Sequence, residues 1–174
     1  MKKFLLIFVL FFFQNNAFSK NIVYLDIQYI IDNSDLGIFY KSKINKLVDN
    51  NKENSKIKKK EIKQKEEEIN NQKNLLSKEE IEKKIVSLNN LVKNYQIEQN
   101  KKNKLVIDEK KIYTSKILKL LNPLLTNYVE KNKITLVVDK KNILIGIKSL
   151  DITPDILKIL NDETKKNNLL NNEE

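Results

Sequence analysis

The amino-acid sequence predicts an α+β fold that is predominantly α: a long antiparallel helical hairpin set on a small β body that further subunits complete. Three observations predict it. Between Gly37 and Gly146 there is no glycine, and Pro123 is the one proline, so little in this stretch breaks a helix. Inside it, Ser77-Lys78-Glu79-Glu80 has the spacing of a capping box, which ends one helix and starts another. Short β-branched runs occur only at the two ends of the chain, and strands so short must meet in one body.

The first segment reads as a leader. Met1-Lys2-Lys3 is basic, Phe4 to Phe13 is unbroken apolar sequence, and Ala17-Phe18-Ser19 has a small residue at each end. That is the layout of a signal peptide over residues 1–19, cleaved after Ser19. An uncleaved anchor fits less well, because the run is shorter than the roughly 20 residues a spanning helix needs. Removing 19 of 174 residues leaves a mature chain of 155, and losing Lys2 and Lys3 lowers the net charge from +10 to +8. Phe39 is then the single phenylalanine. A core so poor in large aromatics implies an elongated molecule.

Asn21 to Ile27 reads as a strand, Gln28 to Asn33 as a helical turn, and Asn33-Ser34-Asp35 as a cap. The first arm begins near Leu36. Its apolar seam starts at Ile44, Leu47 and Val48, then thins to Ile62, Ile69 and Leu76 among lysines and glutamates. A helix this polar packs on one side only. It ends in the Asn-rich stretch before Ser77. In the second arm Ile81, Ile85, Leu88, Val92 and Tyr95 step 4-3-4-3; the phase passes through polar Gln99 and Lys102 and resumes at Val106. Each arm would be about 55–75 Å long. From Ile117 to Val129 the helix becomes apolar and should enter the core, with a kink at Pro123. Ile134 to Asp139 and Asn142 to Lys148 read as a β-hairpin turning at Lys140-Lys141. Thr153-Pro154-Asp155 reads as an N-cap, a first-turn proline and an acid, opening a helix on Ile156, Leu157, Ile159 and Leu160. Asn161 to Glu174 is polar and should fray. The organisation is a leader (1–19), a discontinuous body (20–35 and 118–161), a hairpin (36–117) and a polar tail (162–174).

The composition excludes most chemistry. There is no Cys, His or Trp, and every basic residue is Lys. That removes disulfides, thiolate nucleophiles and the commonest metal ligands, and two glycines cannot make a phosphate loop. Asp26, Asp139 and Asp151 sit near strand ends, but as turn caps rather than as catalytic acids, since nothing nearby supplies a nucleophile or base. No enzyme, cofactor or metal is expected. The lysines point to anionic partners. Nucleic acid fits poorly without Arg or stacking aromatics; anionic lipid, lipopolysaccharide or acidic unfolded polypeptide fit better.

Tyr24-Leu25-Asp26, the Lys-rich hairpin, Leu136-Val137-Val138-Asp139 and Asp151-Ile152-Thr153-Pro154-Asp155-Ile156-Leu157 together resemble the Skp (OmpH-like) family of periplasmic chaperones. The resemblance spans essentially the whole mature chain. It implies a periplasmic homotrimer whose helical tentacles surround a cavity and hold unfolded outer-membrane proteins without nucleotide. On that reading Ile62, Ile69, Leu75, Leu76, Ile81 and Ile85 touch apolar client segments, while Lys59, Lys63, Lys73 and Lys78 attract clients. The trimer body would use Ile22, Val23, Tyr24, Leu25, Leu120, Leu124, Ile134, Leu136 and Val138. The chain departs from the family in having no Arg, so it lacks the residue for any lipopolysaccharide site that relatives carry on Arg. The other readings are a structural or adaptor coiled coil, and a basic binder of lipopolysaccharide or nucleic acid.

Overall fold

The computed structural model describes residues 21–171. The expected leader, residues 1–19, lies outside the described residues. In order the chain forms β1 (Ile22–Leu25), α1 (Ile27–Asn33), α2 (Asp35–Gln72), α3 (Lys78–Lys131), β2 (Leu136–Asp139) and α4 (Thr153–Lys166). Short 3-10 turns lie at Lys140–Asn142 and Lys148–Leu150.

The hairpin forms as the sequence predicts. The 38 residues of α2 and 54 of α3 correspond to about 57 Å and about 81 Å of helix. Ser77 accepts from the Glu80 amide at 3.3 Å, and the Glu80 carboxylate accepts from the Ser77 amide at 3.0 Å. Both halves of the capping box are therefore made. Three cross-arm contacts set the register: Tyr40 stacks on Tyr113 at 4.2 Å, Ser55 hydrogen-bonds Tyr95 at 2.7 Å, and Lys84 pairs with Glu68 at 2.6 Å. The residue numbers of each pair add to nearly the same total, as antiparallel helices require. Helix α3 continues through Pro123 to Lys131.

The core lies in the body and the adjoining root of the hairpin. Leu25, Ile30, Leu36, Tyr40, Ile117, Leu121, Ile152, Ile156 and Leu160 are buried there, drawn from β1, all four helices and the segment before α4. No residue from 45 to 116 is buried. The sheet is two parallel strands, with Ile22 opposite Leu136 and Leu25 opposite Asp139. The whole hairpin is thus the crossover between neighbouring strands. The other edge of β1 is closed by a bridge from Tyr24 to Asp151, where the Ile152 amide donates to the Tyr24 carbonyl at 3.0 Å.

Ser34 joins α1 to α2. It is fully buried, its amide donates to the Ile30 carbonyl at 2.9 Å, and its hydroxyl accepts from the Gly37 amide at 3.1 Å. The two helices meet so closely that a Cβ at Gly37 would collide with the Ile31 carbonyl.

Three expectations are corrected. Residues 142–148 form no strand. Asp139 accepts from the Lys141 amide at 3.1 Å and winds the next residues into a 3-10 turn, so the expected hairpin ladder never starts. Thr153 is not the N-cap of α4. Ile152 holds that position, and the buried Thr153 hydroxyl accepts from the Asp26 amide at 2.9 Å. The segment after Asn161 does not fray at once: α4 runs to Lys166, the fully buried Thr164 donates to the Leu160 carbonyl at 2.8 Å, and Leu169 and Leu170 pack against the core.

Candidate functional site

The tip of the hairpin carries most of the residues expected to meet a client. Ile62, Ile69, Leu76 and Ile81 are half-buried at seam positions, whereas Leu75 is 81% exposed in the turn and Ile85 is 42% exposed. Leu75 is presented there because its amide and that of Leu76 both donate to the Gln72 carbonyl, which closes the end of α2. Lys59, Lys63, Lys73 and Lys78 are all exposed, and Lys63 lies 3.7 Å from Glu67.

The arms meet along a half-buried apolar seam, with the Lys84–Glu68 ion pair and the Ser55–Tyr95 hydrogen bond crossing it, while Lys58–Glu61 and Lys102–Glu98 pair within one helix. The Lys84 hydrogen bond holds the Glu68 carboxyl below its ordinary range, and Lys102 does the same for Glu98. The Glu61 carboxyl is lowered by its hydrogen bond from Lys58, whose ammonium is raised in turn. These pairs sit in solvent, where each contributes little to stability. Such a hairpin opens more easily than a packed core.

The seam was legible, but a second set of apolar residues off the seam was missed. Ile57, Val86, Ile97, Leu105, Ile107 and Ile112 are each between 44% and 58% exposed. Their signal was present in the sequence as aliphatics that do not fit the 4-3 step.

The body end carries another exposed apolar region. Leu144 and Ile145 are almost wholly exposed, and Ile147 is 66% exposed. Their loop is not loose. Gly146 lies against the Tyr24 ring, where a Cβ would come within 2.9 Å, and the Tyr24 hydroxyl donates to the Ile147 carbonyl at 3.3 Å. Lys140 pairs with Asp151 at 2.9 Å beneath it. Of the residues expected in subunit contacts, Val23, Tyr24 and Leu25 are buried within this chain, while Ile22 and Leu136 are exposed cross-strand partners. Leu120, Leu124, Ile134 and Val138 are half-buried.

The carboxylates near the strand ends have structural partners. Asp26 accepts from the Tyr29 amide at 2.8 Å, and Asp151 accepts from the Thr153 amide and from Lys140. Among the described residues no group of His, Cys, Asp or Glu could hold a metal ion, and no helix is long and apolar enough to cross a membrane.

A long two-helix arm carrying exposed aliphatics and lysines, rooted in a two-stranded parallel body, matches a known architecture. The profile described as outer membrane protein (OmpH-like) covers residues 21–160. The chain belongs to the OmpH-like family. The fold is similar to the crystal structure of an OmpH-like protein of Caulobacter crescentus, provisionally described as an outer membrane chaperone. The TM-score is 0.74 at 12% identity, over 82% of this chain and 85% of that one. No curated protein matches this OmpH-like chain.

Proposed function

We propose that this OmpH-like protein is a periplasmic holdase that binds unfolded outer-membrane proteins between helical tentacles and prevents their aggregation. It works without nucleotide, cofactor or catalysis. The observation that carries this reading is the hairpin: from residue 45 to 116 nothing is buried, yet its aliphatic side chains are interleaved with lysine along its length. Where these side chains stay exposed they add little to the stability of the fold, but an unfolded client can cover them. Contacts that are spread and individually weak suit many sequences. The lysines supply long-range attraction to clients of net negative charge. Release follows when the client folds in a membrane and buries its own apolar surface.

The functional unit of this proposal is a homotrimer. Its support is the body, where Ile22, Leu136, Leu144 and Ile145 stay exposed and, among the described residues, one edge of β2 is unpaired. A two-stranded sheet is marginal alone, and strands from further copies would complete it. Export by a leader over residues 1–19 would bring the molecule to the periplasm, where its lysines would also face anionic lipid and lipopolysaccharide. Light scattering tests the chaperone activity. A urea-unfolded outer-membrane β-barrel protein is diluted into buffer with and without the mature chain. Suppressed scattering in the absence of ATP supports the reading; unchanged scattering at excess chain contradicts it.

A further inference from the structure

Helix α3 carries an apolar stripe on the side turned away from its partner arm. Val86, Ile97, Leu105 and Ile112 are 53%, 44%, 49% and 47% exposed. At about 100° per residue the four fall within a sector roughly 100° wide. Seam residues Leu88, Val92, Tyr95, Val106, Tyr113 and Ile117 lie roughly on the opposite side of the helix. From Val86 to Ile112 the stripe is about 40 Å long, the reach of an extended peptide of about 12 residues.

The same sector is strongly basic. Lys83, Lys101, Lys104 and Lys119 occupy it, Lys93 and Lys111 flank one margin, and all six are exposed. None of the six forms an ion pair among the described residues. Asp108 is the carboxylate within the sector between residues 83 and 119, with Glu82 and Glu98 at its margins. Helix propensity explains the lysines but not isolated aliphatics spaced among them on a solvent face. Toward the body the stripe runs into a hollow lined by Lys111, Ser115, Leu118 and Lys119.

We infer that this outer face of α3, from Val86 to Ile112, is a binding strip for extended, acidic and aliphatic segments of unfolded polypeptide. The inference rests on the holdase reading and assigns it a face that the tip residues do not supply. Charge complementarity selects an acidic partner. The spaced aliphatics take side chains of an extended chain one at a time. Asn90, Asn94 and Ser115, exposed in the same sector, offer hydrogen bonds to peptide groups, which lipid tails lack. A membrane surface would instead favour a continuous apolar wedge, and the aliphatics here are broken up by lysine and asparagine.

The test uses the mature chain and a urea-unfolded outer-membrane β-barrel protein as probe. A photo-crosslinking amino acid is placed at Ile97, at Ile112 or, for comparison, at Leu75. A second variant carries V86S, I97S, L105S and I112S together; all four side chains are solvent-facing, and circular dichroism checks that the helices remain. Client crosslinks at Ile97 and Ile112, with client Kd raised about tenfold in the quadruple variant, would support the inference. Crosslinks from Leu75 alone, with unchanged affinity in the quadruple variant, would overturn it and leave the holdase reading standing. Crosslinks from Ile97 to phosphatidylglycerol vesicles but not to the client would overturn it in favour of a membrane surface. If the unaltered chain neither binds the client nor suppresses its aggregation, the holdase reading fails and the inference falls with it.

Discussion

Replacing Gly37 by alanine should destabilise the protein, against the usual rule. In an exposed helix the change Gly→Ala gains about 1 kcal/mol from propensity. Gly37 lies in the first turn of α2 and is buried. A Cβ there would collide with the Ile31 carbonyl and come within 3.0 Å of the Ser34 hydroxyl. The obstacle is backbone, so no rotamer change relieves it. The α1–α2 joint must open, which disturbs the Ser34 bond to the Gly37 amide and the neighbouring buried Ile30 and Leu36. Overpacking of this kind costs about 1–3 kcal/mol, and loss of the serine cap adds about 1 kcal/mol. Set against the propensity gain, the net loss is about 2 kcal/mol. For a domain of this size that lowers Tm by about 4–8 °C. Calorimetry and urea denaturation of the mature chain measure it, with the exposed-helix substitution Asn90→Ala as a control of small opposite sign. A G37A protein as stable as the parent, or more so, would refute the close-approach argument.

Three further predictions follow from the same geometry. Ile156→Ala removes three fully buried carbons, about 2.4 kcal/mol of transfer energy plus about 1 kcal/mol for the cavity, whereas Ile85→Ala at the half-exposed tip should cost under about 1 kcal/mol; urea midpoints that rank the two the other way would contradict a core confined to the body and the root of the hairpin. The carboxyls of Glu61, Glu68, Glu98 and Asp139 are lowered by lysine hydrogen bonds, so their contribution is present above the ordinary carboxylate pKa and lost as pH falls through the folded values. With no histidine, Tm should be flat between about pH 5.5 and 8.5 and fall below about pH 4; a marked change within the neutral range would contradict this. On the trimer proposal, replacing Leu144 and Ile145 together by serine should weaken self-association at least tenfold in sedimentation equilibrium without altering the helix content; unchanged association would place the subunit contact elsewhere.

The parts legible in the sequence were those governed by neighbours along the chain. The Ser77 capping box and the 4-3 seam are local patterns, and each appears where the residues put it, although α3 runs past the expected arm length because the helix continues through Pro123 to Lys131. The parts that were not legible depend on distant partners. Ile143 to Ile147 has the composition of a strand, but Asp139 winds Lys140–Asn142 into a 3-10 turn, and the Tyr24 ring and hydroxyl hold Gly146 and Ile147 away from β2. Thr153 looks like a cap, and only the fold brings the Asp26 amide to its hydroxyl across the body. Thr164 is polar by type and buried by packing, which hid the last turns of α4. The outer stripe of α3 was overlooked because attention to the seam discards every aliphatic out of phase with it.

As a subunit of a tentacled holdase, this OmpH-like chain should assemble with its own copies and enclose a client. Native mass spectrometry of the mature protein, alone and with a urea-diluted outer-membrane β-barrel protein, tests it most directly. The expected result is a trimer that takes up one client without nucleotide. A monomer or dimer that takes up none would contradict it.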